Sequence, residues 1–103
     1  ALDKNVLQSV TAANKLRDGG QYDQALAAYQ QIREQNPKLT SITFVVADVY
    51  RKQAAAETNP VARRTLLDRA INAYSQLLTD DTTGPRAKAE LELTRAELQA
   101  IPQ

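Results

Sequence analysis

The sequence has no cysteine and no histidine among its 103 residues. Without cysteine, disulfide bonds and thiolate metal sites are excluded. Without histidine, the commonest general base and the commonest metal ligand are missing as well. The hydroxyl groups of Ser9, Ser41 and Ser75 therefore have no imidazole to activate them as nucleophiles. We expect a protein that is not an enzyme and that holds neither a metal ion nor a cofactor.

Aromatic residues and long apolar runs are also scarce. Aromatic residues make up 5% of the chain, whereas hydrophobic residues make up 43%, and much of that share is alanine. This balance favours closely packed helices over a β-sandwich. The net charge of +1 gives no field that would favour nucleic acid or an anionic membrane. The longest apolar runs, such as residues 44–47, are much shorter than the roughly 20 residues of a membrane span, so we expect no membrane insertion.

The length of the chain predicts a single domain over residues 1–103 that is large enough to bury a core. No stretch has the composition of a linker between domains. The chain begins at Ala1 rather than at methionine, which we expect of a processed protein or an excised fragment. A targeting segment would then be lost, and the sequence therefore assigns no compartment.

The most informative stretch runs from residue 19 to residue 37. Its glycine pair ends one helix, because glycine adopts left-handed backbone angles at little steric cost. Ala25, Tyr29 and Ile32 follow at spacings of four and three, which places them on one face of a second helix. Asn36-Pro37 ends that helix, because the residue before a proline disfavours α geometry. The stretch predicts a helical hairpin.

Apolar spacing along the whole chain predicts an all-α fold of five helices. Their expected bounds are about 3–18, 22–35, 41–57, 60–79 and 85–100. Asp3 and Asn59 suit N-cap positions, and Pro60 suits the first position of a helix. The β-branched segment 42–46 has strand propensity, but the helical period continues through Tyr50, so we assign this segment to helix three.

An internal repeat relates the first pair of helices to the second pair. Small and large apolar residues recur at fixed offsets: Ala13 and Leu16 as Ala47 and Tyr50, 34 residues later, and Ala25, Tyr29 and Ile32 as Ala70, Tyr74 and Leu77, 45 residues later. The second unit thus has about eleven additional residues between its two helices. We expect both of its helices to be longer by one to two turns, with a shared tip that projects beyond the body.

A 34-residue helix–turn–helix period with these residue types resembles the tetratricopeptide repeat family. The resemblance covers about residues 6–78, as one unit over about 3–37 and a second over about 40–79. It depends on Gly20-Gln21-Tyr22 at the first turn, on Pro37, and on the repeated small and aromatic residues. Two departures are Ser9 and Thr43, where the family has tryptophan. The second unit also lacks the glycine turn and the closing proline.

This resemblance implies a short right-handed α-solenoid of stacked antiparallel hairpins. The helix over about 85–101 would be its cap, with an apolar stripe at Ala87, Leu91, Leu98 and Ile101. Such modules bind a peptide or protein partner in a concave groove lined by the first helix of each pair. The implied function is therefore that of a scaffold or adaptor. Self-association of a larger protein, through residues 42–46 or the alanine-rich tip, is the alternative.

The family's groove positions fall on helices one and three. They correspond here to Leu7, Val10, Asn14, Arg17, Ser41, Phe44, Asp48 and Arg51. Phe44 would be an apolar anchor, and Arg17 and Arg51 would pair with a carboxylate of the partner. On this interpretation, Arg17→Ala and Phe44→Ala weaken binding with little change in melting temperature. In the alternative, Arg51 pairs with Asp48, and Phe44 packs beneath helix five.

Three further groups of residues are candidate binding sites. The lysine–asparagine clamp that one subfamily uses for carboxylates is not expected, because Val10 and Val45 occupy two of its positions. The basic residues near the tip, which include Lys52, Arg63, Arg64 and Arg69, are interpreted as solvated helix residues, with Arg64 paired to Asp68. The loop over residues 80–84 lacks the carboxylates of a calcium site and is interpreted as a capping loop.

Overall fold

The computed structural model describes residues 3–102, so Ala1, Leu2 and Gln103 lie outside the described residues. Across that range the chain forms five α-helices and no strand: α1 Lys4–Asp18, α2 Tyr22–Gln35, α3 Thr40–Ala56, α4 Pro60–Ser75 and α5 Gly84–Gln99. Each helix packs against the next one in the sequence, in a body that measures 45 × 30 × 18 Å. The predicted all-α fold of stacked helices is therefore confirmed.

Two helices, α1 and α4, begin at the side-chain caps that the sequence predicts. The Asp3 carboxylate accepts a hydrogen bond from the Asn5 backbone N–H at 2.7 Å, and the Asn59 side chain caps α4 in the same way. The prediction for the end of α4 was wrong, because this helix ends at Ser75 rather than near residue 79. Beyond it the backbone tightens, and the N–H groups of Leu77 and Leu78 bond to carbonyls only three residues back.

The repeated small and aromatic residues form the core of both units. Tyr29 and Tyr74 are fully buried, one in a cluster between α1, α2 and α3 and the other in a cluster between α3, α4 and α5. The repeated alanines are also fully buried, at Ala13, Ala25, Ala47 and Ala70. A side chain as small as that of alanine lets two helices approach closely, and the neighbouring ring fills the remaining space. The repeat in the sequence is therefore a repeat in packing.

The additional residues of the second unit lengthen both of its helices at the shared tip. At an offset of 34, Asp18 corresponds to Lys52, and α3 continues four residues further, to Ala56. At an offset of 45, Tyr22 corresponds to Leu67, whereas α4 begins seven residues earlier, at Pro60. The four residues added at the end of α3 and the seven added at the start of α4 account for the eleven additional residues of the second unit.

The lengthened tip is partly covered rather than fully projecting. Ile101, just after α5, forms a buried cluster with Ala54 of α3 and Leu67 of α4. The chain after α5 thus packs against the base of the tip, which the sequence did not predict.

The β-branched segment of α3 is internal. Ile42, Phe44 and Val46 are buried, so the prediction of an exposed surface at residues 42–46 for self-association was wrong. No helix within residues 3–102 has the length and apolar character needed to cross a membrane.

Candidate functional site

A depression of about 360 Å3 lies where α1, α3 and α5 face the same side of the stack. We call it the groove depression, and its lining residues are Arg17, Asp48, Arg51, Lys52, Ala55 and Glu97. Three of the predicted groove residues, Arg17, Asp48 and Arg51, are among them. The structure therefore brings together side chains that lie up to 80 residues apart in the sequence.

The other lining residues were missed as groove residues. Lys52 and Ala55 follow Asp48 by four and seven residues on α3, so helical spacing alone would have placed them on the same face. The sequence instead predicts Lys52 as one of the solvated basic residues near the tip. The spacing of the sequence could not place Glu97 in the depression, because its position there depends on how α5 docks against α3.

Asn14 and Asp48 occupy the same position in the two units and make the same contact. The Tyr29 hydroxyl donates a hydrogen bond to Asn14 Oδ1 at 2.5 Å, and the Tyr74 hydroxyl donates one to Asp48 Oδ1. Burial raises the pKa of both tyrosine hydroxyls. Burial also raises the pKa of the Asp48 carboxyl, although the Tyr74 hydrogen bond opposes this shift. Two buried rings thus fix two polar side chains along the groove.

Arg51 is held by carboxylates of α5. Its Nη2 donates to Glu97 Oε2 at 2.5 Å and its Nη1 donates to Glu90 Oε2, while Nη1 also lies 3.5 Å from the Tyr74 hydroxyl. Burial alone would lower the pKa of Arg51, but the hydrogen bonds to Glu97, Tyr74 and Glu90 raise it above its usual range. The suggested Arg51–Asp48 ion pair is absent within residues 3–102, and both Nη atoms of Arg51 bond to glutamates of α5 instead.

Arg17 is the counterpart of Arg51 in the first unit, and its surroundings differ. Within residues 3–102 its one ion pair joins Nε to the Asp18 carboxylate of its own helix at 3.0 Å. That hydrogen bond raises the pKa of Arg17, and the charge of Asp48 acts in the same direction. Lys52 is exposed and has no ion pair with any described residue. Two cations of the depression are thus without a carboxylate from another helix.

Phe44 does not face the groove. It is 7% exposed and lies edge-on to Tyr74, with 5.5 Å between ring centroids, in a cluster that includes Leu91 of α5. The Arg86 guanidinium covers the ring at 4.6 Å from its centroid, a cation–π contact. The prediction of Phe44 as a binding anchor was therefore wrong, and the alternative that places it beneath helix five is correct.

Three further predicted groove residues do not line the groove depression with Arg17, Asp48 and Arg51. Val10 is half-buried against the core of the first unit, and Ser41 is exposed at the start of α3. Leu7 is exposed on α1.

Two residues from the other candidate binding groups, Arg64 and Asp80, make hydrogen bonds within the fold. Arg64 donates to the Pro102 carbonyl at 3.0 Å rather than pairing with Asp68. The Asp80 carboxylate accepts hydrogen bonds from the backbone N–H groups of Thr83 and Thr82, at 2.8 and 3.0 Å, and these bonds hold its pKa below the usual range. This loop thus organises the approach to α5. Within residues 3–102, no group of three or more acidic side chains is arranged to hold a metal ion.

The comparisons with known proteins gave no match. No protein-family model fits the chain, and no curated protein and no solved structure is significantly similar to it.

Proposed function

We propose that this chain is an interaction module of the tetratricopeptide type, which binds a segment of a partner protein in the groove depression. The observation that carries the proposal is the repeated placement of polar side chains. Asn14 and Asp48 accept hydrogen bonds from equivalent buried tyrosines, and Arg17 and Arg51 each follow three residues later. Both units thus present the same kind of surface to the same side of the stack.

The geometry of the depression supports binding of a short segment. Its volume of about 360 Å3 is at the lower end of the range of about 300–1,000 Å3 that is usual for ligand pockets. Two of its polar groups are fixed before a partner arrives, because Tyr74 holds Asp48 and α5 holds Arg51. These held side chains keep the depression in shape without a partner, which lowers the entropy cost of forming the site.

A binding role has more support than a catalytic one. The depression is lined by two carboxylates, and both are engaged. Asp48 accepts from Tyr74, and Glu97 is paired with Arg51, so both carboxylates serve contacts within the fold.

Selection from a random-peptide display library on the immobilised protein tests this proposal. Ala55 is exposed in the groove depression, so Ala55→Trp would fill it without altering the core or the charge. Ala27, exposed on α2, provides the matched control Ala27→Trp. We expect selected peptides to bind the wild type and Ala27→Trp, and to lose affinity for Ala55→Trp. Peptides that bind all three proteins equally would contradict the proposal.

Self-association is the alternative function. It has less support, because residues 42–46, which were its first suggested surface, are largely within the core. Light scattering over a range of concentrations would test it through the molar mass, and a concentration-dependent dimer would favour this alternative.

A further inference from the structure

The two arginines at the repeated groove position meet different partners. Arg51 receives two carboxylates from the next helix of the groove, because Glu90 and Glu97 lie seven residues apart on one face of α5. Arg17 receives none from another helix, since its one ion pair within residues 3–102 is with neighbouring Asp18. The molecule itself thus shows that side-chain carboxylates fit this position.

Lys52 strengthens this contrast. Where α5 presents glutamates to Arg51, α3 contributes Lys52 to the depression that Arg17 also lines. Lys52 is exposed and has no ion pair among the described residues. The Asp48 carboxylate lines the same depression and acts on Arg17, but it is a single charge that already accepts a hydrogen bond from Tyr74. Arg17 and Lys52 therefore both attract a further anion.

Both carboxylates of the depression already have a partner within the molecule. Asp48 accepts a hydrogen bond from Tyr74, and Glu97 is bound to Arg51. A basic segment would share these carboxylates with Tyr74 and Arg51, whereas an acidic one would meet N–H donors on Arg17 and Lys52 that bond to no other helix among the described residues. With three cations and two carboxylates in its lining, the depression has an excess of positive charge, which an anion complements.

We propose that the groove depression binds an acidic segment of a partner protein, whose carboxylates pair with Arg17 and Lys52. This inference depends on the proposed function, and it adds the chemistry of the partner. The planar guanidinium of Arg17 suits a carboxylate in two-point contact, while the Lys52 ammonium provides a second, more mobile contact. Arg51 takes no part, because α5 already supplies its carboxylates. Single-stranded nucleic acid fits less well, because no aromatic ring lines the depression for bases to stack on.

NMR titration of the 15N-labelled protein tests the inference. The probes are a blocked peptide of alternating glutamate and alanine, the same peptide with lysine in place of glutamate, and a short oligothymidylate. The glutamate peptide is expected to shift amide signals around Arg17 and Lys52, and to bind more weakly as salt is added. Binding of the lysine peptide at equal affinity, or tighter binding of the oligothymidylate, would overturn the proposal.

A pair of double variants locates the binding energy. Arg17→Gln/Lys52→Gln is expected to bind the glutamate peptide roughly tenfold more weakly, the loss of two partly exposed ion pairs. Lys38→Gln/Lys88→Gln removes the same charge from exposed positions outside the depression and is expected to bind nearly as the wild type does. Unchanged affinity in the first double variant, or equal losses in both, would overturn the assignment. The spectra of the free variants verify that each is folded.

The display experiment separates failure of this inference from failure of the proposed function. Selected peptides that are neutral or basic, and that Ala55→Trp still excludes, would overturn the acidic partner and leave the groove as the binding site. Selected peptides that are indifferent to Ala55→Trp would overturn both.

Discussion

The hydroxyl of Tyr74 donates a hydrogen bond to the Asp48 carboxylate, at the position where the Tyr29 hydroxyl donates to the Asn14 carboxamide. The two units therefore make one contact with two chemically different acceptors. The carboxylate is the more costly acceptor, because burial raises the pKa of Asp48 despite the hydrogen bond from Tyr74 and the nearby charge of Arg51.

We predict that Asp48→Asn is at least as stable as the wild type at pH 7. The carboxamide keeps the hydrogen bond, as Asn14 does, and the cost of burying a charge is removed. The pKa of Asp48 is higher in the folded state than in the unfolded state, so protonation of this carboxyl stabilises the folded wild type. As the pH falls through the folded-state pKa toward about 4, the unfolding free energy of the wild type should therefore rise relative to that of Asp48→Asn. Urea denaturation at both pH values measures this difference.

The control for this prediction is Tyr74→Phe, which removes the donor and leaves the acceptor half-buried. We expect that variant to lose about 1–3 kcal/mol of unfolding free energy. A loss of more than about 1 kcal/mol in Asp48→Asn at pH 7 would show that the charge itself stabilises the fold.

The contact between Arg51 and Glu97 is expected to be a modest, salt-sensitive connection between α3 and α5. The Glu97 side chain is 42% exposed, so solvent screens the pair. A double-mutant cycle with Arg51→Gln and Glu97→Gln should give a coupling of about 0.5–1 kcal/mol that decreases at high salt. Arg51→Gln should also increase amide hydrogen exchange in the second half of α5.

The pair formed by Arg17 and Asp18 serves as the comparison. These residues are adjacent on one helix and Asp18 is 65% exposed, so their coupling should be close to zero. Equal coupling energies in the two pairs would mean that the Arg51 contact contributes nothing specific to the docking of α5.

Phe44→Ala is expected to destabilise the protein rather than to act on binding alone. The ring is 7% exposed and contacts Tyr74 and α5, so its removal leaves a cavity at the junction of three helices. Loss of a buried phenylalanine costs about 3–5 kcal/mol of unfolding free energy. The control Leu93→Ala, at a residue that is 56% exposed, should change it by less than about 0.5 kcal/mol. Near-wild-type thermal stability of Phe44→Ala would contradict the buried placement.

Local signals in the sequence predicted most of the helix boundaries, and long-range docking explains what they missed. Asp3, Asn59 and the glycine pair act within one turn of the chain, so their effects could be inferred from spacing alone. The end of α4 was missed because Leu77 continues the apolar period. Leu77 does enter the core, but it does so from a tighter turn, and periodicity does not distinguish the two backbones.

The same distinction applies to the groove. The resemblance to the tetratricopeptide family implied that Asn14, Arg17, Asp48 and Arg51 share one side of the stack, and Arg17, Asp48 and Arg51 line the depression there. The helical period could not decide whether Phe44 faces the groove or packs beneath α5, and it could not reveal that α5 supplies carboxylates to Arg51. Both contacts depend on the relative position of elements more than 35 residues apart in the sequence.

Gly20, in the turn after α1, and Gly84, at the start of α5, should both resist replacement by alanine, but for different physical reasons. Gly20 has a φ of +79°, which costs an L-residue about 1–2 kcal/mol. Gly84 has ordinary backbone angles, but a Cβ there would lie 2.9 Å from the Leu78 carbonyl oxygen, so the backbone would have to move. Gly20→Ala and Gly84→Ala are therefore both expected to lower the melting temperature.

Gly19→Ala is the matched control for Gly20→Ala. Its φ of −83° suits any residue, and a Cβ would lie at an ordinary 3.4 Å from the Lys15 carbonyl oxygen. Because alanine reduces the entropy of the unfolded chain, Gly19→Ala should be neutral or stabilising by about 0.4–1 kcal/mol. Thermal denaturation of the three variants measures the difference. A Cβ at Gly20 would meet nothing within 4 Å, so equal losses at Gly19 and Gly20 would mean that the positive φ is not what requires glycine at this turn.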